Sequence, residues 1–103
     1  AIQAMGPGKE FAAMDRVARR IIDNAGYRGC FGHSLGHGVG VEIHESPYLA
    51  PRSQGVLKEG MVVSCEPGIY LEGQYGTRIE DLIVITADGC RDLNRTSKEL
   101  ICL

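Results

Sequence analysis

The chain has 103 residues, a formal net charge of −2 and 44% hydrophobic residues, an ordinary composition for one folded domain with a modest core. The near-balanced charge, without long runs of lysine or arginine, argues against a nucleic-acid-binding or membrane-surface patch. No apolar stretch approaches the roughly 18 residues of a membrane span. We therefore expect a soluble cytoplasmic protein with no nucleic-acid or membrane partner.

The first predicted element is an amphipathic helix from about Lys9 to Ala25. Gly26 follows it, and a residue without a Cβ suits the left-handed conformation that ends many helices. The densest basic cluster, Arg16, Arg19 and Arg20, is interpreted as a solvated helix face. Apolar residues recur at three- and four-residue spacing along a stripe that we interpret as packing surface: Phe11, Met14, Val17, Ala18, Ile21, Ile22 and Ala25.

After Cys30 the helical period disappears, and short β-rich runs separated by glycine and proline predict an antiparallel sheet. The predicted strands are VGVEI at 39–43, MVVSCE at 61–66 and TRIEDLIVIT at 77–86. The predicted turns lie at Glu45 to Pro51, at Pro67-Gly68 and at Ala87 to Gly89. The apolar run 82–85 indicates a strand that is buried on both faces, or nearly so. Helix followed by sheet makes the fold class α+β.

The four cysteines are scattered without a CxxC pair, so neither a zinc knuckle nor a disulfide framework is indicated. Cys65 stands next to a candidate ligand, Glu66. We interpret Cys65 as a small buried hydrophobe rather than a metal thiolate, because free cysteine commonly fills apolar strands.

The only three histidines, His33, His37 and His44, lie within twelve residues. A single histidine in a strand is usually a satisfied polar group, but this clustering indicates a functional site. His37 lies between Gly36 and Gly38, and neighbours without side chains would permit close approach of a metal ion or substrate. His37 is therefore a candidate metal ligand.

Two glutamates are the candidate acidic ligands. Glu66 ends the apolar run MVVSC, where a carboxylate needs a partner. Glu80 and Asp81 fall on opposite faces of their predicted strand, so one of the two acids should point inward. An ionised carboxylate is costly to bury without a counter-charge. A divalent cation can supply that charge, and an ion pair with Arg78 is the alternative.

Three linked motifs carry a resemblance to a known family. The order FxHxxGHGVGxExHExP, SCEPGIY and GTRIED resembles the second half of the pita-bread metallopeptidases, which include methionine aminopeptidase, aminopeptidase P and prolidase. The histidine four residues before His37, with Glu42 and the HExP turn, is more similar to the Xaa-Pro enzymes. The resemblance implies that residues 1–103 form the C-terminal portion of a catalytic domain, with a curved antiparallel sheet covered by the helix.

The resemblance also implies a metal site. His37 would be the ligand histidine, Glu66 a ligating carboxylate and Glu80 the carboxylate that bridges two divalent ions. Such a donor set suits Mn, Co, Fe or Zn. Arg78 would order the acidic ligands from outside the coordination sphere. We expect these side chains on the concave side of the sheet, and a separation of more than about a nanometre between His37 and both glutamates would exclude a shared site.

The implied reaction is hydrolysis of Xaa-Pro bonds in small peptides by a longer, homodimeric enzyme. His44 would contact the substrate carbonyl as negative charge develops. His33 would lie near the substrate, and Glu66 could also transfer the proton to the departing nitrogen. The family's two aspartate ligands match nothing here, so we expect this chain alone to hold one ion loosely or none, and to be inactive.

Several other functions stay open on the sequence. Aminopeptidase P or methionine aminopeptidase activity would use the same motifs. A non-catalytic relative could serve as a protein or RNA interaction module, although such relatives commonly lose the ligands that are retained here. A metal-free hydrolase of small guanidino compounds is disfavoured by the presence of Glu66 and Glu80.

Overall fold

The computed structural model describes residues 1–103, which form one α-helix and seven strands and so confirm the predicted α+β class. No helix in the chain has the length and apolar character that crossing a bilayer would require. The elements are a 3₁₀ turn Ile2–Ala4, α1 Phe11–Ile22, a π-helical turn Asp23–Tyr27, β1 Gly36–Gly38, β2 Glu45–Leu49, β3 Val62–Cys65, β4 Gly68–Leu71, β5 Tyr75–Arg78, β6 Asp81–Thr86 and β7 Gly89–Asp92.

Five of the strands form an antiparallel sheet in the order β2-β1-β3-β6-β7, and β4 and β5 form a separate hairpin. The apolar stripe of α1 contributes to the core beside one face of this sheet. The core joins helix residues Phe11, Met14, Ala18 and Ile22 to sheet and loop residues Leu35, Leu49, Leu57, Val63, Cys65, Ile83 and Ile85. The predicted stripe is packing surface at these four helix positions, but the prediction is wrong for Ile21, which is 63% exposed, and for Ala25, which is also exposed.

The helix is shorter than predicted at both ends. It begins at Phe11 because the preceding backbone is held extended: the amide of Leu57 donates to the carbonyl of Lys9, and the amide of Phe11 donates to the carbonyl of Gly55. Beyond Ile22 the chain widens into the π-helical turn. Gly26 has φ 94°, which confirms the left-handed residue predicted at the helix end.

Two predictions between residues 39 and 51 are wrong. The strand predicted at 39–43 lies instead at Gly36–Gly38, and the turn predicted at Glu45 to Pro51 is largely β2. The two strands pair with Gly36 opposite Leu49 and His37 opposite Tyr48. Pairing across the sheet therefore outweighs the low strand propensity of glycine and proline.

The predicted strand 77–86 is divided into β5 and β6. Within β6, Asp81 and Ile83 are buried while Leu82 is only partly buried, so the run is nearly covered on both faces, as expected. The inward acid is Asp81, whose counter-charge is Lys98 at 3.2 Å. The hydrogen bond of Lys98 to Asp92, followed by its interaction with Asp81, raises the pKa of Lys98.

The interpretation of the basic cluster as a solvated face is wrong for Arg19. Its guanidinium lies 2.8 Å from a carboxylate oxygen of the fully buried Asp15, and this hydrogen bond raises the pKa of Arg19. Arg19 also donates to the carbonyls of Phe31 and His33, and Asp15 accepts from the amide of Leu35. The pair thus fixes the loop that leads into β1.

Candidate metal centre

A cavity of about 680 Å³ collects most of the predicted site residues. It lies on the face of the sheet away from α1, because Leu82 lines it while the next residue, Ile83, points into the core. His33 does not line it. The nine lining residues are His37, Val39, Ile43, His44, Glu66, Arg78, Glu80, Leu82 and Asn94.

His37 and Glu66 form the tightest pair in this cavity. Nε2 of His37 lies 3.0 Å from Oε1 of Glu66, and each side chain is only 12% exposed. This separation is far below the nanometre that would have excluded a shared site. Nδ1 of His37 lies 3.0 Å from the carbonyl of Gly38, and a carbonyl can only accept, so Nδ1 carries a hydrogen.

The remaining nitrogen of a neutral His37 then presents its lone pair to the carboxylate. Two acceptors 3.0 Å apart require a proton or a cation between them. Adjacent ligands of one cation, with bonds of about 2.1 Å at right angles, are themselves about 3 Å apart. The pair therefore fits two neighbouring positions around one divalent ion.

Arg78 lies close to both Glu80 and Glu66. The half-exposed guanidinium lies 3.6 Å from Oε2 of Glu66 and 3.4 Å from Oε2 of Glu80. No three histidine, cysteine, aspartate or glutamate side chains of the chain converge closely enough to hold a metal ion. The donor types fit a divalent ion, but this chain supplies one close pair and a third carboxylate linked to it through Arg78.

His44 and His33 occupy different surroundings. His44 is exposed at the cavity, with its ring centroid 4.3 Å from that of His37. His33 donates from Nδ1 to the carbonyl of Ser34, and its Nε2 lies 2.7 Å from the hydroxyl of Tyr70. The structure therefore groups His44 with His37 and places His33 against β4.

The structure gives the glycines beside His37 a packing role that the sequence did not show. A Cβ at Gly36 would collide with the backbone carbonyl of Ser64, and one at Gly38 would collide with the backbone carbonyl of Ser46. These glycines allow neighbouring strands to approach closely. The access for a metal ion or substrate that they would permit stays a prediction.

Sequence reasoning missed Ser64 and Asn94. The hydroxyl of Ser64 donates to Oε1 of Glu66 at 2.8 Å, and Oδ1 of Asn94 accepts from the amide of Leu82 at 2.8 Å. The signal for Ser64 was a single polar residue in the apolar run MVVSC. Asn94 carries no comparable signal, since it follows the last strand in a polar segment.

The thiol of Cys65, the residue next to Glu66, is not a candidate metal ligand. Cys65 is 3% exposed and belongs to the core, which bears out its interpretation as a buried small hydrophobe. Burial raises its pKa to about 11, so the thiol is protonated near neutral pH. None of the four cysteines forms a disulfide.

Comparison with known proteins agrees with this fold. Residues 1–87 match the model of metallopeptidase family M24. The chain is 48% identical over 101 residues to an Xaa-Pro dipeptidase of Pyrococcus furiosus, covering 98% of this chain and 29% of that protein. It superposes with a TM-score of 0.96 and 46% identity on an Xaa-Pro dipeptidase from Bacillus anthracis, covering 99% of this chain and 29% of that one.

An X-Pro aminopeptidase from Thermotoga maritima is also similar, with a TM-score of 0.91 and 42% identity over 95% of this chain and 28% of that one. The chain therefore belongs to metallopeptidase family M24 and has part of the pita-bread fold, as the motifs predicted. It spans under a third of the length of these relatives.

Proposed function

We propose that the chain is the C-terminal portion of the catalytic domain of a longer metal-dependent peptidase, which hydrolyses the bond before proline in small Xaa-Pro peptides. The observation that carries the proposal is the 3.0 Å approach of His37 to Glu66 in a cavity that Glu80 and His44 also line. The dipeptidase relatives support the substrate class. The chain's span of under a third of their length supports its assignment to part of a domain.

His37, Glu66 and Glu80 would hold divalent cations, with further ligands from outside this chain. Two carboxylates and one imidazole suit Mn, Co, Fe or Zn. Such cations, when bound, supply a polarised carbonyl and a water nucleophile at neutral pH. Arg78 orders the two carboxylates, because its guanidinium reaches one oxygen of each and limits their rotation.

Hydrolysis breaks the carbon–nitrogen bond, transfers a hydroxyl group to the carbonyl carbon and a proton to the proline nitrogen. That nitrogen carries no hydrogen in the peptide, so the enzyme must deliver the proton. We assign this delivery to Glu66, which faces the cavity. We assign to His44 a hydrogen bond to the carbonyl oxygen as it gains negative charge, and to His33 a place beside the substrate.

The test is a substrate panel with the full-length protein loaded with Mn(II) or Co(II). Cleavage of Ala-Pro, with Ala-Ala left intact, is the expected result. Preference for Ala-Pro-Ala over Ala-Pro would make the enzyme an aminopeptidase of the Thermotoga type. Cleavage of peptides that begin with methionine, without a proline requirement, would refute the substrate class, and no cleavage with any metal would favour a non-catalytic relative.

A pair of matched variants distinguishes the effect of losing a glutamate in the cavity from the effect of losing one elsewhere on the surface. Glu66→Gln should abolish turnover, whereas Glu59→Gln, an exposed glutamate outside the cavity, should leave it unchanged. Equal activity of the two variants would refute the assignment of Glu66. The homodimer and the cytoplasmic location stay predictions, which light scattering of the full-length protein and cell fractionation would test.

A further inference from the structure

Ser64 is a fully buried polar side chain in the middle of β3. Its neighbours along the strand, Val63 and Cys65, belong to the apolar core. Because side chains alternate along a strand, Ser64 points to the opposite face, toward the cavity side of the sheet. Burying a hydroxyl is unfavourable unless the hydroxyl is hydrogen-bonded. The hydrogen-bond partners of Ser64 therefore indicate its structural role.

Both partners are parts of the candidate site. The Ser64 hydroxyl donates to Oε1 of Glu66 at 2.8 Å and accepts from the backbone amide of His37 at 3.0 Å. One hydroxyl thus connects the backbone of the candidate histidine ligand to the side chain of the candidate acidic ligand. The same oxygen, Oε1 of Glu66, faces Nε2 of His37 at 3.0 Å.

The backbone of β1 leaves space for this hydroxyl at Gly36. A Cβ on Gly36 would lie 2.9 Å from Oγ of Ser64 as well as colliding with its backbone carbonyl, so only glycine leaves the space. The amide of Glu66 donates to the carbonyl of Leu35 at 2.8 Å, which ties the end of β3 to the start of β1. With the backbone of Glu66 anchored, the Ser64 hydrogen bond restrains the direction of its carboxylate.

We propose that Ser64 is a positioning residue that sets the His37–Glu66 pair for cation binding, by fixing the Glu66 carboxylate and the His37 backbone through one hydroxyl. The inference rests on the proposed function, in which that pair holds a divalent ion. It goes further by assigning the geometry of the pair to a side chain that touches neither metal nor substrate.

The test measures Mn(II) affinity of the full-length protein by calorimetry, together with amide hydrogen exchange of the peptide that spans His37. Ser64→Ala should weaken Mn(II) binding about 10- to 100-fold, the usual effect of removing a group that orients a ligand. It should also speed exchange at the His37 amide, since its acceptor is gone. Ser64→Thr keeps the hydroxyl and should restore both values toward those of the unmodified protein.

Val63→Ala is the matched control, because Val63 is equally buried on the same strand but faces the core. It should lower stability without changing Mn(II) affinity. Equal losses of affinity in Ser64→Ala and Val63→Ala, or in Ser64→Ala and Ser64→Thr, would overturn the inference by making the effect one of packing. Unchanged affinity or unchanged exchange in Ser64→Ala would also overturn it.

If Ser64→Ala fails to fold, Ser64→Cys takes its place, since a thiol has a similar shape but donates weakly. Circular dichroism establishes the fold of each variant before binding is measured. If the unmodified protein binds no Mn(II) or Co(II), the proposed function fails and the positioning role fails with it. If the unmodified protein binds metal and the Ser64 variants bind it equally, only the positioning role is refuted.

Discussion

Replacing Asp15 by alanine should be among the most destabilising single changes in this chain outside its apolar core. The Asp15 carboxylate is fully buried and accepts three hydrogen bonds: from Nε and Nη2 of Arg19 at 2.8 and 3.0 Å, and from the amide of Leu35 at 3.0 Å. The substitution leaves the Arg19 charge without its buried partner, and it removes one of the two acceptors of the Leu35 amide, which also donates to the carbonyl of Leu49 at 3.0 Å. Both losses act on the same loop.

The expected loss in the free energy of unfolding follows from these contacts. Removing one partner of a buried ion pair costs about 3–5 kcal/mol, and the loss of one hydrogen bond to an amide that keeps another acceptor costs at most about 0.5–1.5 kcal/mol. The Arg19 side chain is 28% exposed and can recover part of its hydration, so we expect a total of about 3–4 kcal/mol. A domain of this size is stable by about 5–15 kcal/mol, so Asp15→Ala should lower Tm by more than about 10 °C.

Urea unfolding followed by circular dichroism measures the change in the free energy of unfolding. Arg16→Ala is the control on the same helix, because its ion pair with Glu10 has side chains that are 54% and 68% exposed. Pairs of that kind contribute below about 1 kcal/mol. A loss in Asp15→Ala no larger than that in Arg16→Ala would refute the claim that the buried pair anchors the loop.

Three further outcomes are expected. In the full-length protein, His44→Ala should lower turnover about 100-fold or more with metal content unchanged, by plasma mass spectrometry, and equal loss of both would make His44 a ligand instead. The 103-residue chain alone should bind Mn(II) or Co(II) weakly by calorimetry and leave Ala-Pro uncleaved, because it lacks a convergent three-ligand group. Tight binding of two ions with turnover would contradict this. At pH 8 the Cys65 thiol stays protonated, because its pKa is raised to about 11, and it should resist iodoacetamide. The exposed Cys102 should react under the same conditions. Similar reaction rates of the two thiols would show that β3 opens readily.

The sequence predicts well those features of this protein that depend on residues close together in the chain. The three- and four-residue spacing of apolar positions indicates the helix, and Gly26 marks its end. Alternation along the predicted strand 77–86 indicates that Glu80 and Asp81 lie on opposite sides. The ordered motifs around His37, Glu66 and Glu80 indicate the family.

The parts that the sequence did not reveal depend on residues far apart in the chain. β1 and β2 were mislocated because their glycines and proline have low strand propensity, and only pairing across the sheet makes them strands. The sequence predicts a solvated Arg19, because nothing in its local pattern shows that Asp15 is fully buried beneath the loop before β1. The reason for Gly36 also lies outside its own segment, in the close approach of β3.

The sequence by itself therefore determined the fold class, the family and which side chains are candidates for chemistry, since these follow from local periodicity and from motifs in order. Only the tertiary structure decided which of those side chains meet. It brings His37 to Glu66, places Arg78 beside both Glu66 and Glu80, and directs His33 toward Tyr70. The physical reason is that hydrogen bonds and ion pairs act over about 3–4 Å in space, whatever the separation of their partners along the chain.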